Sequence, residues 1–364
     1  MTTDTRIPVC LLTGFLGAGK TTLLNALLRD PAMVGTGVVI NEYGTVGIDH
    51  HLVEAAPEDT SLIADGCICC TARGEIAEAM LSLSERMQAR AGTSLRRVII
   101  ETTGLAEPWP ILQQILRTPE LAERYTLDSV VTVVDAFNVA DTLATQDIAV
   151  QQITAADRIL ISKTDLVDSS QSAELRARLA QMNPDAEIND VAQGAAQPEQ
   201  LFTGGRHDPS SPQYRPGALL ANADTLRFTP APPGVLRRQP GLAVPRDQDI
   251  QTFSLILDVP LQAGRFLGWM EFLRTLCGPT LLRVKGLINI DGQTGPTVIH
   301  GVQKAFHPPT ELAAWPDDDR RTRLVFITRG YGQEIVGETL GYLQACAAGQ
   351  PATPPAPSRP IQLN

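Results

Sequence analysis

A chain of 364 residues exceeds the size at which one hydrophobic core keeps growing, so two domains are expected. Its 43% apolar and 19% charged residues are ordinary for a soluble globular protein, and a net charge of −10 argues against a general nucleic-acid binder, whose affinity comes from dense Lys and Arg. No run approaches the ~18 apolar residues of a membrane span, Met1 to Arg6 lead into a strand pattern without a signal-peptide core, and six cysteines do not make a disulfide framework at this length. The expectation is a cytoplasmic protein with no membrane and no nucleic-acid partner.

Residues 7–12 form an apolar run that reads as a buried strand, and residues 22–28 have helical apolar spacing. Between them, residues 14–22 read GFLGAGKTT, which fits the G-x-x-x-x-G-K-[ST] phosphate loop with Gly14, Gly19, Lys20 and Thr21 in register. Gly14, Gly17 and Gly19 let backbone N–H groups turn inward around anionic oxygens, with the positive end of the helix behind them. Ala18 and Thr22 belong to the same cradle. Lys20 would reach the β- and γ-phosphates, and the Thr21 hydroxyl would hold Mg²⁺. A glycine-rich turn without nucleotide is the competing reading, and the strand, Lys and Thr all stand against it.

Residues 37–40 are a short β-branched strand that runs into residues 41–49, a loop with two glycines and two carboxylates. Parallel α/β folds place ligand-contacting loops at such strand ends, which makes Asp49 a candidate γ-phosphate or Mg²⁺ sensor; an Asp capping a turn reads equally well. Cys67, Cys69 and Cys70 follow, ahead of a helix expected from about 71 to 90. Soft thiolates suit Zn²⁺, Cu(I) or similar ions, and three clustered thiols imply an open coordination position, a further protein ligand or a second subunit. The alternative is three packed cysteines acting as small hydrophobes.

A second strand, residues 96–104, ends in Glu101 and Gly104. An acid at that strand end is where NTPases hold Mg²⁺, and a following glycine can offer its N–H to a γ-phosphate, so these two read as the nucleotide sensor. Residues 129–135 are a continuous buried strand, followed by a helix expected near 138–156 and a strand at 158–161. The next four residues, Ser162, Lys163, Thr164 and Asp165, match the [NST]-K-x-D pattern of guanine-reading loops. Asp165 can accept from guanine N1–H and its exocyclic amine, while Lys163 packs its stem on the ring; adenine offers no such donor pair. A helix near 170–182 and a strand at 186–191 complete a domain taken as residues 1–203.

Residues 204–249 are rich in proline and glycine and read as a linker. A second domain, 250–346, shows the order β-α-β-β-β-α, a small α+β unit with an antiparallel sheet. Its Lys285, His300 and His307 form no catalytic spacing. Residues 347–364, proline-rich, are expected to be disordered.

The phosphate loop, the C-x-C-C run at 67–70, the Glu-Thr-Thr-Gly at 101–104 and the Ser-Lys-Thr-Asp at 162–165 together resemble the CobW-like family of metallochaperone GTPases. The second domain is similar to that family's C-terminal domain, chiefly through residues 283–286 (RVKG) and 300–303 (HGVQ). The resemblance implies a P-loop NTPase fold with a doubly wound, mostly parallel sheet beside the smaller α+β domain. It implies a slow, metal-stimulated GTPase that uses Mg²⁺, binds Zn²⁺ or Co²⁺ at Cys67, Cys69 and Cys70, and delivers the ion to a client metalloprotein or metal-insertion enzyme, as a monomer or a homodimer. Lys20, Asp49 and Glu101 would carry the hydrolysis. Thr45 stands where many relatives carry an acid, which puts an accessory metal site in doubt. An ATP-using enzyme and a nucleotide-binding scaffold, each with structural cysteines, are the alternatives.

Overall fold

The computed structural model describes residues 5–42, 61–66, 75–89, 94–191, 196–205, 250–276 and 280–330, together with Val336 and Thr339. The chain divides into two compact units, Met1–Arg215 and Pro216–Asn364.

In the first unit the described elements run β1 (Ile7–Thr13), α1 (Lys20–Leu27), β2 (Thr36–Glu42), β3 (Ser61–Gly66), α2 (Glu75–Ala89), β4 (Arg97–Thr102), α3 (Pro108–Arg117), α4 (Pro119–Arg124), β5 (Tyr125–Asp135), α5 (Val139–Thr145), α6 (Asp147–Ala155), β6 (Arg158–Ser162), α7 (Ser169–Met182), β7 (Glu187–Asp190) and α8 (Pro198–Leu201). The strands form one seven-stranded sheet in the order β3-β2-β4-β1-β5-β6-β7. Every pairing is parallel. Strands covered by helices on both faces must be apolar on both, and this is why β1, β4 and β5 read as continuous rather than alternating runs. Leu12, Val38, Ile99, Val131 and Leu160 from the sheet share one core cluster with Leu23, Leu24 and Leu27 of α1. Burying each such side chain contributes about 1.5–3 kcal/mol.

The helix expected over 138–156 is two helices. Gln146 is extended (φ −121°, ψ 106°) and both ends α5 and starts α6. Thr142 and Thr145 return their hydroxyls to the carbonyls of Asn138 and Asp141, which weakens the helix they sit in. Asp147 then favours a new N-terminus. Pro119 opens the short α4 in the same way, an element with too few residues to show a period.

The order of the sheet positions the site. β1 lies between β4 and β5; the chain leaves β1 for β2 on the β4 side and leaves β4 for β5 on the other, so the carboxyl ends of these strands open a crevice at a topological switch point.

In the second unit, β8 (Ile250–Leu257), α9 (Ala263–Leu276), β9 (Leu281–Ile288), β10 (Thr297–Val302), β11 (Ala305–Phe306), β12 (Thr310–Glu311) and β13 (Thr322–Arg329) build an antiparallel sheet in the order β11-β10-β9-β13-β8, with β12 on β10. Phe253, Val284, Ile299 and Phe326 of the sheet join Phe266, Trp269 and Leu273 of α9 in one core. Phe326 stacks on Phe253 at 5.3 Å and meets Trp269 edge-on at 6.4 Å. β11 and β12 add to the expected order. Of the helix that closes the expected β-α-β-β-β-α order, Val336 and Thr339 are described and helical, and the Thr339 hydroxyl accepts from the Trp269 indole at 3.0 Å. His300 and His307, far from any catalytic spacing, stack on each other at 4.8 Å, and His300 faces Lys285 across the β9–β10 pair. Among the described residues no helix is long and apolar enough to cross a membrane.

Candidate nucleotide site

The chain leaves β1 at Thr13 and turns at once. Gly14 has φ 142°, and a Cβ there would stand 2.3 Å from the Val133 carbonyl of β5, so only glycine lets the loop lie this close to the sheet. Gly17 and Gly19 are left-handed (φ 73° and 95°), and a Cβ on either would meet open space. Gly19 is the N-cap residue of α1, which begins at Lys20. The loop is therefore an open cradle backed by the first turn of a helix, the geometry that receives phosphate oxygens on backbone N–H groups.

Lys20 is buried and folds back over this loop, its ammonium donating to the carbonyls of Gly14 at 2.9 Å and Phe15 at 3.3 Å. Beside it, Thr21 donates its hydroxyl hydrogen to Glu101 Oε1 at 2.6 Å. Glu101 is buried at the end of β4, one residue before Thr102, whose hydroxyl donates to that of Thr13 at 2.9 Å. A hydroxyl and a carboxylate oxygen in contact, next to a phosphate cradle, form a hard-oxygen pair suited to Mg²⁺, and thus fit the ion that triphosphate chemistry requires.

The segment after β4 lies against the phosphate loop. A Cβ on Gly104 would come within 2.4 Å of the Leu16 backbone nitrogen. On its other side, Gln152 of α6 donates its side-chain amide to the carbonyls of Gly104 at 3.1 Å and Ala106 at 3.2 Å.

The loop after β6 is tied to the same cradle. Ser162 donates to the Ala18 carbonyl at 2.7 Å, and Lys163, left-handed at φ 56°, donates to the Gly17 carbonyl at 2.8 Å and to Asp135 Oδ2 at 2.6 Å. Asp135 also accepts from the N–H groups of Phe137 and Asn138 and from the Asn138 side chain. Burial pushes its carboxyl up, but Lys163 and these donors outweigh burial and hold it below the ordinary value. Asp165 sits on the 3-10 turn Thr164–Leu166 with its side chain exposed.

The structure thus brings Gly14, Gly17, Ala18, Gly19, Lys20, Thr21, Thr22, Glu101, Gly104, Ser162, Lys163 and Asp165 to one edge of the sheet. Asp49, Cys67, Cys69 and Cys70 lie outside the described residues. β3 ends at Gly66, in register with Glu42, immediately before the cysteine run in sequence. Cys10, in the middle of β1, is no substitute ligand: burial pushes its thiol up to about 12, which keeps it protonated. Sequence reasoning missed Asp135 and Gln152. Asp135 had a signal, as an acid ending an apolar strand just as Glu101 does; Gln152 had only its polarity amid the apolar face of a helix.

Residues 8–190 match the family model described as CobW/HypB/UreG, nucleotide-binding domain, and residues 250–344 match the Cobalamin synthesis protein cobW C-terminal domain. The chain belongs to the CobW family. Among its CobW-family relatives, it is 32% identical to the zinc chaperone YjiA of Escherichia coli over 88% of this chain and 93% of that one. It is 29% identical to the zinc chaperone CobW of Pseudomonas aeruginosa over 93% and 92%. A crystal structure of Zn(II)-bound YjiA GTPase from E. coli superposes with a TM-score of 0.66 at 28% identity, over 93% of this chain and 99% of that one. A Zn(II)-bound triple mutant of YjiA, with one Glu and two Cys replaced by Ala, gives 0.68 at 27% identity over the same shares.

Proposed function

We propose that this CobW-family protein is a GTP-dependent metallochaperone, which hydrolyses GTP to GDP and phosphate and uses the cycle to bind and deliver a transition ion to a client metalloprotein or metal-insertion enzyme. The observation that carries the reading is the contact of Thr21 with Glu101, since it joins the phosphate loop to the strand end that begins the sensing segment. Residues 1–203 hold the chemistry and 250–346 form the CobW-type C-terminal domain, with 204–249 as linker and 347–364 as tail. The cytoplasm, where thiols stay reduced, is the compartment that suits the cysteine run.

The triphosphate binds over Gly14 to Thr22, and Lys20 exchanges the Gly14 and Phe15 carbonyls for phosphate oxygens. Thr21 and Glu101 would hold Mg²⁺, which would supply neutralisation of developing phosphate charge. Asp165 reads the guanine edge, and Lys163, fixed by Asp135 and Gly17, supports the ring. Asp49 or Glu101 orients the attacking water; its oxygen bonds to the γ-phosphorus as the bond to the bridging oxygen breaks, and its protons leave with the products. No arginine among the described residues lies at the cradle as a finger, so intrinsic turnover is slow.

Cys67, Cys69 and Cys70 bind the cargo. The names of the relatives favour zinc, and thiolates accommodate Co²⁺ as well. Triphosphate repositions the segments at 42–49 and 101–108 and draws the sulfurs into binding geometry; hydrolysis releases them. Single-turnover hydrolysis of GTP and of ATP, each with and without added Zn²⁺, tests the reading. Zinc-stimulated hydrolysis confined to GTP is expected, and equal use of ATP would contradict it.

A further inference from the structure

We propose that Gln152 is the positioning residue of the phosphate-sensing segment, holding it where a γ-phosphate can be told from its absence. The inference rests on the reading of Glu101 to Gly104 as that sensor.

Three features carry it. Gln152 is buried in the middle of α6, and its own carbonyl accepts from the Thr132 hydroxyl of β5 at 2.7 Å, so its backbone is pinned to the central sheet. Both hydrogens of its amide are spent on one segment, at the carbonyls of Gly104 and Ala106. Its Oε1 is buried without a partner among the described residues. A buried amide oxygen left unmatched is unfavourable, and the two donations to the segment are what the side chain gains in that position. The packing of Gly104 on Leu16 closes the other side. The segment is therefore held between the phosphate loop and a donor fixed to the sheet. A cavity of about 30 Å³, lined by Leu16, Ala18, Asp135, Asn138 and Gln152, lies between the phosphate loop and α6.

Gln152 touches neither the phosphates nor the metal pair. It acts through Gly104: with the two carbonyls held towards α6, the segment keeps one approach to the cradle, and a γ-phosphate selects between that arrangement and another.

The test uses the full chain and Gln152→Met, which keeps the length and removes both donors. Affinities for GDP and for a non-hydrolysable GTP analogue are measured with Mg²⁺, alongside kcat and KM for GTP. The expected result is a ratio of analogue to GDP affinity lowered about two- to tenfold, with GDP affinity unchanged and the loss of turnover falling on kcat. An unchanged ratio, or equal weakening of both nucleotides, would assign Gln152 a purely structural role and overturn the proposal. Should Gln152→Met fail to fold, Gln152→Glu is put through the same measurements, a lowered ratio supporting the proposal and an unchanged ratio overturning it. A natural protein that does not discriminate the two nucleotides overturns the sensor reading as well; discrimination retained by the variant overturns the role of Gln152 alone.

Discussion

Thr21, in the first turn of α1, and Glu101, near the carboxyl end of β4, are 80 positions apart in sequence and meet at 2.6 Å, hydroxyl to carboxylate. Removing either partner takes one oxygen from the pair proposed to hold Mg²⁺. Glu101→Gln and Thr21→Ala are expected to lower GTP turnover about 10- to 100-fold and to raise the Mg²⁺ concentration needed for half-maximal rate. GDP binding without Mg²⁺ is retained. A Mg²⁺ titration of initial rates checks this, and an unaltered requirement would separate the pair from the ion.

Asp135 and Lys163 give the site a pH dependence. The Asp135 carboxyl is held below its ordinary value of 3.8, so its contribution to stability is fully present above that pH and is lost as pH falls through the lower folded value. Asp135→Asn removes the contribution at every pH. Denaturant unfolding of both proteins is therefore expected to give a constant difference from pH 7 down to about 5 and a shrinking one below about 4. The variant also loosens Lys163 from the Gly17 carbonyl side of the cradle, and its GDP affinity is expected to fall.

Gly104→Ala drives a Cβ into the Leu16 backbone, where no flexible side chain can yield. The expected cost is about 1–3 kcal/mol of stability, with GTP turnover reduced and GDP affinity lowered, because the segment proposed as sensor and the Leu16 backbone of the phosphate loop are pushed apart. Thermal unfolding and steady-state rates together check it.

In the second unit, Phe326 is the ring between Phe253 and Trp269 and is fully buried. Phe326→Ala is expected to cost that unit about 3–5 kcal/mol, read as a lower denaturant midpoint in the Trp269 signal.

The parallel sheet and its site were legible because each strand of the first unit that carries a functional loop is an apolar run ending in a polar signature: Thr13 before the glycines, Glu101, and Ser162 before Lys163. What escaped was decided by tertiary context. The break at Gln146 depends on threonine hydroxyls competing for helix carbonyls, and a helical period of apolar residues runs straight through it. The two-residue strands β11 and β12 are too short to alternate, and the stacking of His300 on His307 follows from the β10–β11 hairpin rather than from spacing. Gln152 looked like an ordinary helix residue, since its partners Gly104 and Ala106 are more than 40 residues away.

Nucleotide and metal are proposed to share one moving apparatus, and a zinc titration decides whether they do. Zn²⁺ affinity is measured in the presence of Mg²⁺ with a non-hydrolysable GTP analogue and with GDP, on the natural chain and on Cys67→Ala. The account predicts zinc bound about 5- to 150-fold more tightly with the analogue, and reciprocally the analogue bound more tightly with zinc, both differences vanishing in Cys67→Ala while nucleotide binding persists. Equal zinc affinity in the two nucleotide states of the natural chain would contradict it.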